Sequence, residues 1–178
     1  MLRRGCVIAV LMVVSLLLPL ALMAEETVGE GAKGDQAKIE NFDNWGRRCD
    51  TPKEGGDDVC FLFQQLNIKE NNQVILFITV GYPPKGTHPV MVFTTPLGVA
   101  LEAGVQMQIG ESGQMTKANY KICIVNGCRA SLLLDDATLA AMETGETMFV
   151  AFGNAQGKGI KLAVSLKGFK AANDSLKK

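Results

Sequence analysis

The segment Tyr120-Lys121-Ile122-Cys123-Ile124-Val125-Asn126-Gly127-Cys128-Arg129-Ala130-Ser131-Leu132-Leu133-Leu134 decides the fold class. Two strand-like runs, Tyr120 to Val125 and Arg129 to Leu134, flank Asn126-Gly127. Asn-Gly is the strongest short hairpin signal, because both residues tolerate a positive φ. A strict two-residue turn there would set Cys123 diagonal to Cys128 rather than opposite it. A disulfide between the two therefore implies a slightly larger loop or a bulge.

The same period of two runs outward from this hairpin. Downstream, Thr147 to Phe152 and Ile160 to Leu166 form a second hairpin around Asn154-Ala155-Gln156-Gly157-Lys158-Gly159. In its second strand Ile160, Leu162, Val164 and Leu166 alternate with Lys161, Ala163, Ser165 and Lys167, giving one core face and one wet face. Upstream, Val105, Met107 and Ile109 alternate with Gln106 and Gln108, and Gly110 and Gly113 mark the turn that follows. Pro89 to Thr95 is a strand closed by Pro96-Leu97-Gly98. Val74-Ile75-Leu76-Phe77-Ile78 is a continuous apolar run, the pattern of a strand buried on both faces, and Pro83-Pro84 ends its segment. Val59 to Leu66 alternates with Val59, Phe61 and Phe63 on one face. Asn41 to Asp50 is read as a first strand, and Gly55-Gly56 as the turn after it.

Two stretches break this period. Asp135 or Asp136 can cap a helix whose apolar side is Leu139, Ala140 and Met142, with Gly145 at its end. Phe169 to Leu176 forms a short closing helix. The expected fold is all-β, a mainly antiparallel β-sandwich or flattened barrel of about 8–10 short strands with one or two short helices. A parallel α/β fold is disfavoured, because helical segments do not alternate with the strands.

The amino terminus reads differently. Arg3 and Arg4 precede an uncharged apolar run, Val7 to Leu22, and Pro19 and Ala24 lead into Glu25-Glu26. This is the pattern of a cleavable secretory signal over residues 1–24, although Leu22 is bulkier than the usual residue three places before a cut. Residues 25–38 hold almost no large apolar side chain and are expected to be a flexible leader. The β domain then covers 39–172, and 173–178 form a polar tail. Loss of Arg3 and Arg4 leaves 16 basic against 18 acidic side chains, a charge of −2. That balance argues against nucleic acid as a partner, because such binding relies on neutralising many phosphates. No stable membrane anchor is expected once the signal is cut.

Without Cys6, four cysteines remain, Cys49, Cys60, Cys123 and Cys128, an even number suited to two disulfides in an exported domain. Three pairings are possible. Closeness in sequence favours Cys49–Cys60 and Cys123–Cys128. A zinc site is a poor alternative, because neither spacing is C-x2-C and the only histidine, His88, is far from both pairs. No metal or cofactor is expected.

The search for catalytic chemistry ends similarly. A Ser-His-Asp triad would have to use His88, and no G-x-S-x-G elbow is present. Asp57-Asp58 reads as a solvated turn and Asp135-Asp136 as a helix cap. Gly29-Glu30-Gly31-Ala32-Lys33-Gly34 matches a dinucleotide fingerprint in letters only, because no strand precedes it. Met91, Met107, Met142 and Met148 occupy core-like positions, and Trp45 and Phe42 read as core anchors.

With these elements in place, the chain resembles the invasion-associated locus B family of exported bacterial proteins. The resemblance rests on Phe42-x-x-Trp45-x-x-x-Cys49, Cys60, Pro96-Leu97-Gly98-x-x-Leu101-x-x-Gly104, Tyr120-x-x-Cys123, Gly127-Cys128-x-Ala130 and Leu166-Lys167-Gly168-Phe169. Trp45, Pro96, Gly98, Tyr120, Gly127, Gly168 and Phe169 are its structural motif residues. It implies a periplasmic, secreted or outer-surface protein, linked in some pathogens to entry into host cells, and no known catalytic residue. The leading expectation is a non-enzymatic envelope protein with a protein partner in the envelope or on a host surface. A periplasmic maintenance, stress or assembly factor is the alternative, and an enzyme is third.

The mature chain is expected to begin at Glu25. Intact-mass measurement of protein recovered from outside the cytoplasm checks this, and a mass that includes residues 1–24 would mean that the segment is retained.

Overall fold

Alternation in the sequence becomes a long antiparallel ribbon. The computed structural model describes residues 37–52 and 56–177, so the signal segment, the Gly29–Gly34 motif and nearly all of the leader lie outside the described residues. The strands are β1 (Lys38–Phe42), β2 (Trp45–Asp50), β3 (Val59–Asn67), β4 (Val74–Gly81), β5 (Val90–Thr95), β6 (Val105–Ile109), β7 (Met115–Ile124), β8 (Gly127–Leu133), β9 (Thr147–Gly153) and β10 (Gly159–Ser165). Helix α1 (Asp136–Thr144) lies between β8 and β9, and α2 (Phe169–Leu176) follows β10. The strand order is β1-β2-β3-β4-β5-β8-β7-β6-β9-β10, with every neighbouring pair antiparallel.

The ribbon divides at β7. Its first half pairs with β6, ending at Ala118 opposite Val105, and its second half pairs with β8 from Asn119 opposite Ser131. One strand therefore serves two leaves, a large one from β1 to β8 and a small one of β6, β9 and β10. Their inner faces share one core. Leu62, Leu76, Ile78, Met91 and Phe93 come from the large leaf, and Val105, Met107, Met148, Val150 and Val164 from the small one. Met91, Met107, Met142 and Met148 are all fully buried, as packing positions should be.

The two ends of the ribbon meet around Ser165. The indole Nε1 of Trp45 donates to its carbonyl at 3.0 Å, and so does Nε2 of Gln64, which also donates to the Asn44 carbonyl at 2.8 Å. The Asn44 amide donates to the Lys167 carbonyl at 3.3 Å. Gln64 is buried, and both its amide hydrogens are used. Among the described residues no buried side-chain nitrogen or oxygen lacks a partner, as native interiors require.

Four sequence expectations are corrected. The single strand expected over Asn41–Asp50 is the hairpin β1–β2, with Phe42 opposite Trp45. Asp43 makes the turn at φ +53°, a conformation that aspartate tolerates better than most side chains. The turn between β7 and β8 is Val125-Asn126 rather than Asn126-Gly127, since Ile124 pairs with Gly127 and Cys123 lies directly opposite Cys128. The expected bulge exists, but at Lys121. Gly127 instead lets β8 approach β5, because a Cβ there would strike the Thr95 carbonyl. The run Val74–Ile78 is not buried on both faces: Leu76 and Ile78 are inside, Ile75, at a register shift, is half-buried against the core, and Val74 and Phe77 face outward. Finally, α2 spans Phe169–Leu176 as expected, but Asn173 and Ser175, placed by the sequence in a polar tail, are buried. Asn173 is paired with Tyr82 and Glu143, and the Ser175 carbonyl accepts from Arg47 at 2.7 Å.

Both disulfides join directly opposed residues of neighbouring strands, Cys49–Cys60 across β2 and β3 and Cys123–Cys128 across β7 and β8. Asp135 caps α1 by accepting from the Thr138 amide at 2.8 Å. Gly168 precedes α2 at φ +88°, tight against the Phe42 carbonyl, and so turns Phe169 into the core, where its ring meets Trp45 edge-on at 5.0 Å.

Two outcomes follow from these contacts. Gly168→Ala should cost about 2 kcal/mol or more in denaturant unfolding, because it adds a left-handed alanine and a backbone collision. Gly157→Ala, also at positive φ but facing open space, should cost less. The Thr138 bonds hold the Asp135 carboxyl below its ordinary pKa. A depressed folded-state pKa contributes stability above the unfolded value and loses it as pH falls through the folded one. The melting difference between wild type and Asp135→Ala should thus be present at neutral pH and close in strong acid.

Candidate functional site

A strand that faces a core on one side normally shows polar residues on the other. The middle of the large leaf sets aromatic rings among its polar residues. Its outward positions are Phe61, Phe63 and Gln65 on β3, Phe77 and Thr79 on β4, Val92 and Thr94 on β5, and Arg129 on β8. Register places them in rows. Phe77 is opposite Thr94, which is opposite Arg129, while Phe63 is opposite Thr79 and Thr79 opposite Val92. The aromatic rings are supported from the neighbouring strands. A Cβ on Gly46 would lie 2.5 Å from Cζ of Phe63, so the ring rests directly on that glycine. Phe63 and Phe77 stand with ring centroids 6.2 Å apart.

All of these side chains but Phe63 line a groove of about 640 Å³, whose apolar walls are Phe61, Val74, Phe77, Val92 and Pro96. A second hollow of about 430 Å³ shares Val74, Pro96 and Asn126 with it and adds Leu97 and Val125. Val125, at the tip of the disulfide-closed hairpin, is 88% exposed and Leu97 is 58% exposed. The two hollows form one apolar strip from the β3 aromatics to the hairpin tip.

Among the described residues, Arg129 is the only charged side chain that lines the groove. It is exposed, and no carboxylate lies within 4.0 Å of it among the described residues. Arg48, on the same face, is instead occupied by Asp50 at 2.8 Å. A larger hollow of about 820 Å³ beside α1 and α2 differs in this respect. There Lys170 lies 3.4 Å from both Glu143 and Asp174, and Lys167 lies 3.1 Å from Asp43, so its cations are already compensated. The carboxylates hold the Lys170 ammonium above its ordinary pKa.

The motif residues read from the sequence gather in two places. Trp45, Gly168 and Phe169 meet at the closed end around Ser165. Pro96, Gly98, Tyr120, Gly127 and the Cys123–Cys128 bridge lie at or near the Thr95 end of β5. There the Tyr120 hydroxyl is 3.0 Å from Oγ1 of Thr95, and Oγ1 also donates to the Cys128 carbonyl at 3.4 Å. Burial pushes the Tyr120 phenol above its ordinary pKa, opposed in part by that hydrogen bond. The Gly98 carbonyl accepts from the Ala155 amide at 2.8 Å, which ties this loop to the small leaf. Pro96 lines both hollows and Gly127 the smaller one. Phe61, Phe77, Val92 and Arg129 escaped the sequence reading. The signal that could have found them is that Phe61 and Phe63 are out of phase with the buried Leu62 and Gln64.

Elsewhere the polar groups make local structure. His88 lies 3.4 Å from the exposed carboxylate of Asp136 and 3.0 Å from the Thr87 hydroxyl, on a surface loop. Asp58 accepts from Thr51 at 2.6 Å. Among the described residues no group of three or more His, Cys, Asp or Glu side chains is placed to hold a metal ion.

Comparison with known proteins now adds to this geometry. No curated protein sequence matches the chain. Among solved structures, the crystal structure of invasion associated protein B from Bartonella henselae is similar, with a TM-score of 0.68 at 24% identity. The match covers 79% of this chain and 95% of that one, and it supports the fold. The sequence model of the invasion associated locus B protein matches residues 45–177, from the buried Trp45 through the end of α2. The chain therefore belongs to the invasion associated locus B family.

Proposed function

We propose that this is an exported, non-enzymatic envelope protein that acts through protein contacts, and that the outer face of β3, β4, β5 and β8 makes them. The observation that carries this reading is the apolar strip itself. Half-buried aromatic rings are set on a leaf whose other face already supplies the core, so the rings are surplus to folding. Contiguous exposed apolar surface of this kind marks interaction sites, and aromatic residues with an arginine are typical anchors of protein interfaces.

Export is supported by the apolar leader over residues 1–24 and by the two disulfides, which fit an oxidising, extracytoplasmic compartment. The family description points to host-cell invasion, and contact with a host surface is the role we assign. It requires the mature domain to reach the outside of the cell.

The contact face is tested by site-specific crosslinking. A benzophenone amino acid placed at position 77 in living cells should give protein adducts, while the same group at position 161 on β10 should not. Adducts at neither position would remove the protein-contact reading. The location is tested by protease treatment of intact cells beside a periplasmic control protein. Digestion of the mature domain with the control spared is expected. Protection until the outer membrane is opened would replace host contact by a role in envelope maintenance.

A further inference from the structure

We propose that the occupant of this face is an amphipathic helix of a partner protein, seated by its apolar side on Phe61, Phe77 and Val92 and paired with Arg129 through an acidic residue. The inference rests on the protein-contact reading above and specifies its chemistry.

Backbone accounting selects the helix. Each of β3, β4, β5 and β8 is paired on both sides, β3 with β2 and β4, and β8 with β5 and β7. Their main-chain groups are committed to these ladders, so an extended segment laid on the face finds no backbone partners. A buried segment must then satisfy its own amides and carbonyls, and a helix does so internally. The width also fits. Four strands span three spacings, about 14 Å, and a helix with its side chains is about 10–12 Å across. A helix layer on a sheet face is moreover one of the few stable ways to cover it.

Other occupants fit less well. The groove is only partly enclosed, whereas sites for small ligands enclose most of the ligand's surface. A second copy of the chain offers no helix to spend, among the described residues. Leu139 and Met142 of α1 and Phe169 and Ala172 of α2 are turned into their own core. In a stack of the same faces of two copies, the Asp50 of this face would be no free partner for Arg129, because it already holds Arg48.

Arg129 supplies direction. It stands in the row Phe77-Thr94-Arg129, so a helix across the rings meets the guanidinium at one flank. An acidic side chain there would complete the unpaired charge and fix the helix register, the usual contribution of charge to an interface.

The test uses the full mature chain, isotopically labelled, with synthetic helices of about five turns, or 18 residues. The first peptide carries leucines at i, i+3, i+4 and i+7 with glutamate on the flank of the stripe. One twin replaces glutamate by lysine, and another carries two central prolines that forbid the helix. Dodecanoate serves as the lipid-like probe. The glutamate helix is expected to shift the amides of Phe77, Thr79, Val92, Thr94 and Arg129. It should bind about tenfold tighter than either twin. Arg129→Glu should reverse the preference between the glutamate and lysine helices, and Arg129→Gln should abolish it, with melting unchanged in both variants.

Equal binding of the proline twin, indifference of the Arg129 variants to peptide charge, shifts elsewhere, or no shift at millimolar peptide would each overturn the helix. Shifts caused by dodecanoate alone would replace it with a lipid. If adducts form at position 77 while the helices fail, the protein-contact reading stands and only the identity of the occupant falls.

Discussion

Two donors converge on one carbonyl, and the rest of the architecture depends on it. The indole of Trp45 and the amide of Gln64 both donate to the last carbonyl of β10, at Ser165. An antiparallel ribbon of ten strands has two edges and no inherent reason to bring its ends together. Here the ends are joined by buried hydrogen bonds, and orphaning either donor would cost about 1–3 kcal/mol. The same indole is packed by Phe169, which reaches it because Gly168 reverses the chain beside Phe42. The helix so started runs back along the first strands, where Arg47 binds the Ser175 carbonyl. One polar knot thereby orders the first hairpin, the last strand and the closing helix.

Once the ribbon is closed, the inner faces of both leaves make a single core, and the outward apolar side chains lie beyond it. The outside is not uniformly apolar. The lysines beside α1 and α2 are matched within the chain, and His88 and Asp58 settle into local contacts. The apolar strip is the exception, with the Phe63 ring propped on Gly46 and Arg129 without a counterion among the described residues. The contact site proposed for this family member is thus laid on a face and not sunk in a cleft.

Much of the fold could be read from the sequence because alternation is direct evidence of a two-faced strand. The hairpins around Cys123–Cys128 and around Asn154 to Gly159, the Asp135 cap and both helices follow from local residues alone, and so did the preferred disulfide pairing. The failures have physical causes. β1 is polar because it is an exposed edge, so no apolar pattern announces it. Asn126-Gly127 looks like a turn, but the glycine is needed for contact with Thr95, a residue distant in sequence. Val74–Ile78 resembles a doubly buried strand because an uncovered aromatic face is as apolar in letters as a covered one. The candidate site draws Phe61, Phe77, Val92 and Arg129 from four strands, and only the register of those strands brings them together. Asn173, at the end of the chain, reads as tail because its partners Tyr82 and Glu143 lie far upstream.

The nearest-neighbour pattern of the disulfides has a kinetic consequence. Pairing β5 with β8 and β6 with β9 closes long stretches of chain, which is the slow part of folding such a topology. Each bridge, by contrast, spans a local hairpin, with sequence separations of 11 and 5. Under the export proposed above, with the signal and its Cys6 removed, a chain threaded amino terminus first into an oxidising compartment closes Cys49 onto Cys60 before Cys123 emerges. Oxidation in order of appearance then yields the native pairs, without thiol exchange and without waiting for the distant strands to find each other.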